Sequence, residues 1–284
     1  MAALVSAPSV RANPGYPVGM VVSPPLRSIL ITGASSGIGQ ALAVALAGPG
    51  VTLHLSGRDA RRLGTVATTC EARGAVVLSR VIDVRDAAAM TAWIGGAGPL
   101  DLVIANAGIA AGNRTGRPET AEQTREVLGT NLEGALNTVL PAIEVMAGQP
   151  AGADGIRGRI AVIASIAAFI AAPGAAAYCA SKSAIDTWVV ATAPAVRPAG
   201  IALTSVCPGY IRTRMTARNR FAMPGLMDAD RAAALILKGI MAGRVRVVFP
   251  RWMGVVARLA GLLPPRMLGR LMSEKSPAHT RNKP

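Results

Sequence analysis

The sequence predicts an α/β fold in which helices cover both faces of a parallel β-sheet. Between residues 27 and 250, segments with the apolar pattern of strands alternate with segments of helical periodicity, which is typical of such sheets. The composition agrees, because 51% of the 284 residues are hydrophobic but only 3% are aromatic. A core of Ala, Val, Leu and Ile suits a parallel sheet under Ala-rich helices.

Strand and helix patterns follow each other in a regular order. A first apolar run, RSILIT at 27–32, precedes a helical pattern over 37–48 that ends at Gly48-Pro49-Gly50, a sequence that stops helices. A longer apolar run at 160–172 ends at Pro173-Gly174 and is too short to cross a bilayer. The remaining predicted strands are 51–56, 75–83, 101–108, 159–165, 201–209 and 245–250, and the remaining helices are 59–73, 86–95, 119–147, 175–197 and 228–242.

Cysteine and histidine usage argues against a disulfide framework and against a metal site. The three cysteines, Cys70, Cys179 and Cys207, are odd in number and have no CxxC spacing. This pattern indicates a reducing compartment, so we expect a cytoplasmic protein. The two histidines, His54 and His279, are far apart in the sequence, and we therefore expect no metal.

Positive charge is concentrated near the C-terminus. The formal net charge is +15, and residues 244–284 contain nine Lys or Arg but one acid, Glu274. Nucleic acid is not an expected partner, because no nucleic-acid-binding motif is present and aromatic residues for base stacking are few. Two interpretations stay open for this region: a helix packed on the domain or a subunit interface, and an amphipathic helix on an anionic membrane surface. Both rest on the helical spacing of Trp252, Val255, Val256, Leu259 and Leu263, with Arg251 and Arg258 nearby.

A glycine-rich turn joins the first predicted strand to the first predicted helix. Its sequence is TGASSGIG at 32–39, with Gly33, Gly37 and Gly39 in a G-x3-G-x-G spacing. Glycines let backbone N–H groups approach a phosphate, and the helix N-terminus adds a partial positive charge. The strand, turn and helix order favours dinucleotide binding over a purely structural turn.

A tyrosine and a lysine lie four residues apart in YCASK at 178–182. In a helix, Tyr178 and Lys182 share one face. A free phenol has a pKa of about 10, and a nearby ammonium is expected to lower it. Tyr178 would then exchange a proton with a substrate oxygen. The alternative is a surface tyrosine beside a solvated lysine.

Five motifs in order resemble the short-chain dehydrogenase/reductase family over about residues 27–250. They are TGASSGIG, NAG at 106–108, Ser165, YCASK and PG at 208–209, and Ser165 precedes Tyr178 by the 13 residues usual in that family. The resemblance implies a single Rossmann-type domain with a seven-stranded parallel sheet and a nicotinamide cofactor. It also implies reversible hydride transfer between a carbonyl and an alcohol, in a homodimer or homotetramer.

The resemblance implies four catalytic residues, Asn131, Ser165, Tyr178 and Lys182. Ser165 would hydrogen-bond the substrate oxygen and polarise it, and Tyr178 would be the acid or base. Lys182 would also hold the nicotinamide ribose hydroxyls. Asn131, in TNLEG, would support a water and proton relay through the lysine.

The end of the second strand favours NADP(H), with NAD(H) as the alternative. Members that prefer NAD usually carry an acid there for the ribose 2′-hydroxyl, but the matching residue is Gly57. Arg58 follows, and its fork of donors suits a 2′-phosphate, although Asp59 beside it could weaken its field. A surface role for Arg58 is the competing interpretation.

The other cofactor contacts follow from the resemblance. Asp83 matches the position that meets the adenine amino group, with Val84 after it. The backbone of Ile211 and the side chain of Thr213 would hold the carboxamide. The full expected set is Gly33, Ser35, Ser36, Gly37, Ile38, Gly39, Arg58, Asp83, Val84, Asn106, Ala107, Gly108, Tyr178, Lys182, Pro208, Gly209, Ile211 and Thr213.

Three regions and one main function are therefore expected. A disordered extension at 1–26 precedes the catalytic domain at 27–250, which has a substrate lid near 214–228, and a basic amphipathic extension follows at 251–284. Met215, Phe221, Met223 and Met227 suit an apolar pocket in the lid. We expect NADPH-dependent reduction of a small apolar ketone or a lipid-like ketoacyl substrate, in the cytoplasm or at a membrane periphery. The alternatives are an NAD-dependent alcohol or hydroxysteroid-type dehydrogenase and, against the intact catalytic residues, a non-catalytic cofactor-binding regulator.

Overall fold

The structure is a computed structural model that describes residues 26–110, 118–219 and 222–273. Strands and helices alternate along most of the chain, as the apolar patterns predict. The strands are β1 (Ser28–Ile31), β2 (Thr52–Gly57), β3 (Val76–Val81), β4 (Leu102–Ala105), β5 (Gly158–Ile163), β6 (Ile201–Pro208), β7 (Ile211–Arg212), β8 (Met227–Asp228) and β9 (Arg246–Phe249). The helices are α1 (Gly37–Leu46), α2 (Ala60–Glu71), α3 (Ala87–Gly95), α4 (Ala121–Leu128), α5 (Gly134–Gly148), α6 (Ala176–Val196), α7 (Ala229–Met241), α8 (Arg251–Gly261) and α9 (Pro265–Ser273).

Seven of the strands form one sheet in the order β3-β2-β1-β4-β5-β6-β9. All six neighbouring pairs are parallel, so the predicted fold class is confirmed. Every residue of β4, β5 and β6 is buried, because helices cover both faces of the sheet. Strand β3 lies at an edge and is largely exposed.

The sheet has a core on each face, and alternate residues of β1 contribute to the two cores. Ile29 and Ile31 of β1 pack with helices α1, α2 and α7 on one face. Leu30 packs with α3, α5 and α6 on the other face. Strand β1 pairs with β2 on one side and β4 on the other, so a crevice opens at the carboxyl ends of β1 and β4, where ligands bind in such sheets.

The long helix predicted over 119–147 is interrupted. Helix α4 ends at Leu128, a π-helical segment covers Gly129–Glu133, and α5 continues from Gly134. Single π-turns within helices are frequent at functional sites. Strands β7, just before the expected lid, and β8, at its end, form a short parallel ribbon that the sequence patterns do not predict.

The two predicted extensions are described to different degrees. Of the N-terminal extension expected to be disordered, only Leu26 lies within the described residues. The C-terminal extension begins with α8, at the predicted boundary. None of the described helices combines the length and the apolar character that a bilayer-spanning segment needs.

Candidate active site

The glycine turn lies at the carboxyl end of β1 and packs against the NAG turn that follows β4. Gly33 has a φ of 65°, which favours glycine. A Cβ atom on Gly33 would lie 2.7 Å from the Cα atom of Ala107. A Cβ atom on Gly39 would collide with the side-chain amide of Asn106. Both glycines therefore permit a close contact between the two turns.

Hydrogen bonds lock these two turns together. The Asn106 side-chain amide donates to the carbonyl oxygens of Thr32 and Gly33, each at 3.0 Å. The Thr32 hydroxyl accepts from the backbone N–H groups of Asn106 at 3.1 Å and Ala107 at 3.2 Å. Ser36 precedes α1 without making a side-chain capping bond. The first amides of α1 therefore remain open to an anion, and the turn fits a dinucleotide pyrophosphate.

Tyr178 and Lys182 lie on one face of α6, and Ser165 follows the adjacent strand β5. The Lys182 Nζ atom is 5.8 Å from the centre of the Tyr178 ring and donates to the carbonyl oxygen of Ile163 at 2.7 Å. The Ser165 side chain lies near the Tyr178 phenol and acts to lower the pKa of that phenol. The Ser165 hydroxyl also accepts from the Ala167 N–H at 3.1 Å, which fixes its position.

Asn131 lies in the π-helical segment and connects the catalytic helix to the NAG turn. Its side-chain oxygen accepts from the Ile109 N–H at 2.8 Å, and its amide donates to the Ile109 carbonyl at 2.9 Å. The amide also donates to the Ser181 hydroxyl at 3.1 Å. A Cβ atom on Gly108 would lie 3.2 Å from the Asn131 oxygen and 3.5 Å from Lys182 Nζ. Asn131 and Lys182 thus border the same small space.

Burial controls the ionisation of the tyrosine and the lysine. It raises the pKa of Tyr178, and the hydrogen bond with Ser165 opposes this only in part. The expected lowering of the Tyr178 pKa by the neighbouring ammonium is therefore wrong for the site without a ligand, because burial disfavours the charged phenolate and raises this pKa. Burial also lowers the pKa of Lys182 to about 8. At pH 7 the site holds a neutral phenol beside an ammonium.

A cationic end of the cleft lies beyond β2. Arg58 is half-exposed and its guanidinium is 3.9 Å from the Glu126 carboxylate. Asp59 does not oppose it, because Asp59 caps α2 at 2.9 Å and pairs with Arg62 at 2.7 Å. A Cβ atom on Gly57 would lie 3.1 Å from the Ser35 side chain, so this position has little room for an acidic residue.

Asp83 is already paired with a neighbouring cation. The Arg85 guanidinium contacts its carboxylate at 2.6 Å and holds the pKa of Asp83 below its usual range. Asp83 lines the cleft as an ionised acceptor.

The segment after β6 closes the other end of the cleft. The Gly209 N–H donates to the Phe249 carbonyl at 2.7 Å. The side chain of Thr213 lies against the glycine turn, since a Cβ atom on Gly37 would be 3.0 Å from the Thr213 methyl group. The Thr216 hydroxyl supports this segment by donating to the Ile211 carbonyl at 2.6 Å.

One cleft brings most of the predicted site residues together. Asn131 and Gly39 lie behind its wall, and Met215 lines it. Met227 instead pairs with Ile211 in the β7–β8 ribbon and packs against the core, and Phe221 lies outside the described residues. The predicted residues that line the cleft are Gly33, Ser35, Ser36, Gly37, Ile38, Arg58, Asp83, Val84, Asn106, Ala107, Gly108, Ser165, Tyr178, Lys182, Pro208, Gly209, Ile211 and Thr213.

Sequence reasoning missed several residues of the cleft. Arg62 lies one helical turn after Arg58, and that spacing was a usable signal. Thr130, Arg214 and Thr216 also line the cleft. They adjoin predicted site residues in the sequence, but no pattern of their own distinguishes them.

Known proteins share both the motifs and the fold. A family model described as short chain dehydrogenase matches residues 27–223. An uncharacterized oxidoreductase of Myxococcus xanthus is 35% identical over 242 residues, which are 84% of this chain and 93% of the relative. A putative ketoacyl reductase of the monensin polyketide synthase of Streptomyces virginiae is 32% identical, covering 74% of this chain and 80% of the relative.

A solved structure also resembles this chain in its fold. A short-chain type dehydrogenase/reductase from Mycobacterium marinum superposes with a TM-score of 0.69 at 26% identity, covering 78% of this chain and 93% of that one. The cleft geometry, the family model and these relatives agree. The chain therefore belongs to the short-chain dehydrogenase/reductase family and is an oxidoreductase.

Proposed function

We propose that this enzyme reduces an apolar ketone or ketoacyl substrate with NADPH. The observation that carries the proposal is the grouping of Ser165, Tyr178 and Lys182 in the same cleft as an uncapped helix N-terminus and Arg58. The first group provides proton transfer beside a carbonyl, and the second provides contacts for a phosphorylated dinucleotide.

A nicotinamide cofactor, when bound, supplies the hydride that reduces a carbonyl carbon to an alcohol. The glycine turn and the α1 N-terminus would hold its pyrophosphate, and Asp83 its adenine. Ile211 and Thr213 would hold its carboxamide, and Lys182 would donate to its ribose hydroxyls. Residues at both ends of the cleft would therefore contact the cofactor.

Ser165 and Tyr178 perform the acid chemistry in this proposal. Their two hydroxyls would hydrogen-bond the substrate oxygen and polarise its carbonyl bond. As the carbon accepts the hydride, the Tyr178 phenol gives its proton to the oxygen and an alcohol is formed. The raised pKa of Tyr178 supports the reductive direction, because the neutral phenol is the form that donates a proton.

Lys182 and Asn131 would restore the proton. The Lys182 ammonium lies close enough to the ring to stabilise the phenolate that proton donation leaves. Asn131 is held by Ile109 and Ser181 at the inner side of this space. From there it would orient the water that links the lysine to solvent.

The charge distribution at the adenosine end supports NADP(H) over NAD(H). Arg58 is 3.9 Å from Glu126 and lies within Coulombic range of Asp83. Asp59 and Asp83 are each paired at shorter distances with another arginine, at 2.7 Å and 2.6 Å. A guanidinium with free donors suits a 2′-phosphate. The tight space at Gly57 disfavours the acidic residue that NAD-preferring members carry there.

The substrate class follows from the apolar side of the cleft and from the relatives. Met215 lines the cleft near the expected lid, and putative ketoacyl reductases are among the relatives. We also propose that the protein works in the cytoplasm as a homodimer or homotetramer, in keeping with its family.

Titration with NADPH and NADH, followed by the fluorescence of the reduced nicotinamide, tests the proposal. We expect tighter binding of NADPH. Arg58→Ala is expected to weaken NADPH binding by roughly 10- to 100-fold, the range for one charge-assisted hydrogen-bonding group, and to leave NADH binding unchanged. Arg61→Ala is the matched control, because Arg61 is an exposed cation three residues further along the chain, at the start of α2 and outside the cleft.

Each other outcome has a defined meaning. Tighter NADH binding would favour the NAD-dependent dehydrogenase, which a 31% identical 3β-hydroxysteroid dehydrogenase among the relatives also represents. Binding of neither nucleotide by folded protein would contradict the proposal. NADPH binding without oxidation in the presence of ketones and ketoacyl thioesters would favour a regulator.

A further inference from the structure

Helix α8 exposes an apolar face to solvent. Trp252, Val255, Val256 and Leu259 are 51%, 54%, 55% and 60% exposed, and their spacing places them on one side of the helix. Of the twelve large apolar side chains exposed among the described residues, six lie between residues 252 and 267. We call the four α8 residues the outer face of α8.

The opposite side of α8 is firmly packed on the catalytic domain. Met253 and Ala257 are buried with Ile166, directly after Ser165. Gly254 lies so close to Val248 that a Cβ atom would collide with it. Packing of the domain therefore accounts for the inner side of the helix, whereas the outer face stays largely exposed among the described residues.

Helix α8 also borders the mouth of the cleft. The Met253 sulfur lies against Gly209, where a Cβ atom would be 2.9 Å away, and the Trp252 ring lies against Gly225 of the expected lid. The Arg258 guanidinium stacks on the Phe169 ring at 4.0 Å, in the turn that follows Ser165. A surface that contacts the outer face would thus lie beside the entrance used by the substrate.

Exposed arginines accompany the outer face along the chain. Arg251 and Arg258 belong to α8 and Arg266 to α9, and all three are exposed. No acid occurs between Arg231 and Ser273 in the sequence. The Lys and Arg residues of that interval are Arg231, Lys238, Arg244, Arg246, Arg251, Arg258, Arg266 and Arg270.

We propose that the outer face of α8 rests on an anionic lipid bilayer. A helix of this kind lies in the membrane interface, with tryptophan and aliphatic side chains inserted and arginines on the headgroups. A second copy of the chain is a poorer occupant. A twofold contact would bring Arg251 and Arg258 of α8 near their own copies, and α8 itself carries no carboxylate to compensate.

Cosedimentation of the full chain with vesicles tests this inference without using turnover. One set of vesicles is phosphatidylcholine alone, and the other is an equal mixture of phosphatidylcholine and phosphatidylglycerol. We expect binding to the anionic vesicles only. The binding should weaken when the salt rises from about 0.1 M to about 1 M, since the Debye length falls from about 10 Å to about 3 Å.

Two variants distinguish the contribution of apolar side chains to vesicle binding from that of positive charge. Val255→Asp/Leu259→Asp is expected to lower the partition coefficient by roughly tenfold or more. Leu140→Asp is the control, because Leu140 is a 47% exposed leucine on α5, and it should leave binding unchanged. Arg251→Gln/Arg266→Gln should also reduce binding roughly tenfold or more while keeping every apolar group.

Three results would overturn the inference. Wild-type protein could remain in the supernatant with anionic vesicles, or the Asp double variant could bind as the wild type does. Alternatively, light scattering could show that the Asp double variant splits a wild-type oligomer that does not bind lipid, which would assign the face to a second copy. NADPH titration of each variant keeps these outcomes distinct from failure of the proposed reaction.

Discussion

Replacing Lys182 with methionine is expected to stabilise the fold at pH 7 while it abolishes turnover. Lys182 is 5% exposed, and burial lowers its pKa from 10.5 to about 8. This difference corresponds to about 3 kcal/mol by which the folded state disfavours the ammonium, at about 1.36 kcal/mol per pKa unit. Methionine has a similar length and carries no charge.

One lost contact offsets part of that gain. The Lys182 Nζ atom donates to the Ile163 carbonyl at 2.7 Å, and a charge-assisted hydrogen bond contributes about 1.5 kcal/mol. We therefore expect Lys182→Met to raise the free energy of unfolding by roughly 1 to 2 kcal/mol at pH 7. In the proposed mechanism the Lys182 ammonium stabilises the Tyr178 phenolate, so we expect turnover to be lost.

The stability difference between Lys182→Met and the wild type is expected to depend on pH. Between about pH 8 and pH 10.5 the unfolded lysine binds more proton than the folded one, so wild-type stability relative to the variant rises with pH in that window. Below about pH 8 both states are charged and the difference is constant. The advantage of Lys182→Met should therefore disappear by about pH 10.

Urea unfolding at pH 7 and pH 10, followed by circular dichroism, measures this difference. Lys238→Met is the matched control, because Lys238 is exposed on α7, and it should change stability by less than about 0.5 kcal/mol at either pH. The reasoning fails if Lys182→Met is less stable than wild type at pH 7 and the two stability curves stay parallel up to pH 10.

Three shorter predictions test other parts of the structure. Tyr178→Phe should lower kcat by roughly 10²- to 10⁴-fold with NADPH affinity retained, and equal loss of affinity and turnover would argue against its role as the acid. Asp186→Asn breaks a pair with Arg246 at 2.7 Å in which Asp186 is buried, and it should lower the free energy of unfolding in urea by about 3 kcal/mol. Its control, Asp228→Asn, breaks an exposed pair and should lower that free energy by less than about 1 kcal/mol. Gly33→Ala should weaken NADPH binding, since its Cβ atom would meet Ala107 at 2.7 Å, whereas Gly64→Ala in the open middle of α2 should bind normally.

Local patterns in the sequence were enough to predict the parts of the site that are encoded by neighbouring residues. The glycine turn and the Tyr178–Lys182 pair depend on one turn and one helical repeat, respectively. Each is therefore visible in a short window of sequence. The seven-stranded parallel sheet was expected from the family resemblance, but the order of its strands was not predicted, because hydrogen bonding between strands joins residues that are distant in the chain.

Contacts between distant segments could not be predicted. Asp186 accepts from the Ser205 hydroxyl at 2.6 Å and from Arg246 across 60 residues of sequence. The π-helical segment that positions Asn131 was not predicted, because no pattern in TNLEG specifies it. Asp59 is paired with Arg62 instead of weakening Arg58, which only the side-chain geometry reveals.

The sequence by itself determined the order of strands and helices, the positions of the turns and the identity of the reacting groups. These features depend on periodicity and on glycine, proline and charged residues, all of which act locally. The tertiary structure decided the environment of those groups. Whether burial or the lysine charge controls the Tyr178 pKa, and which side of α8 remains exposed, depends on how much water the packed chain excludes at each point.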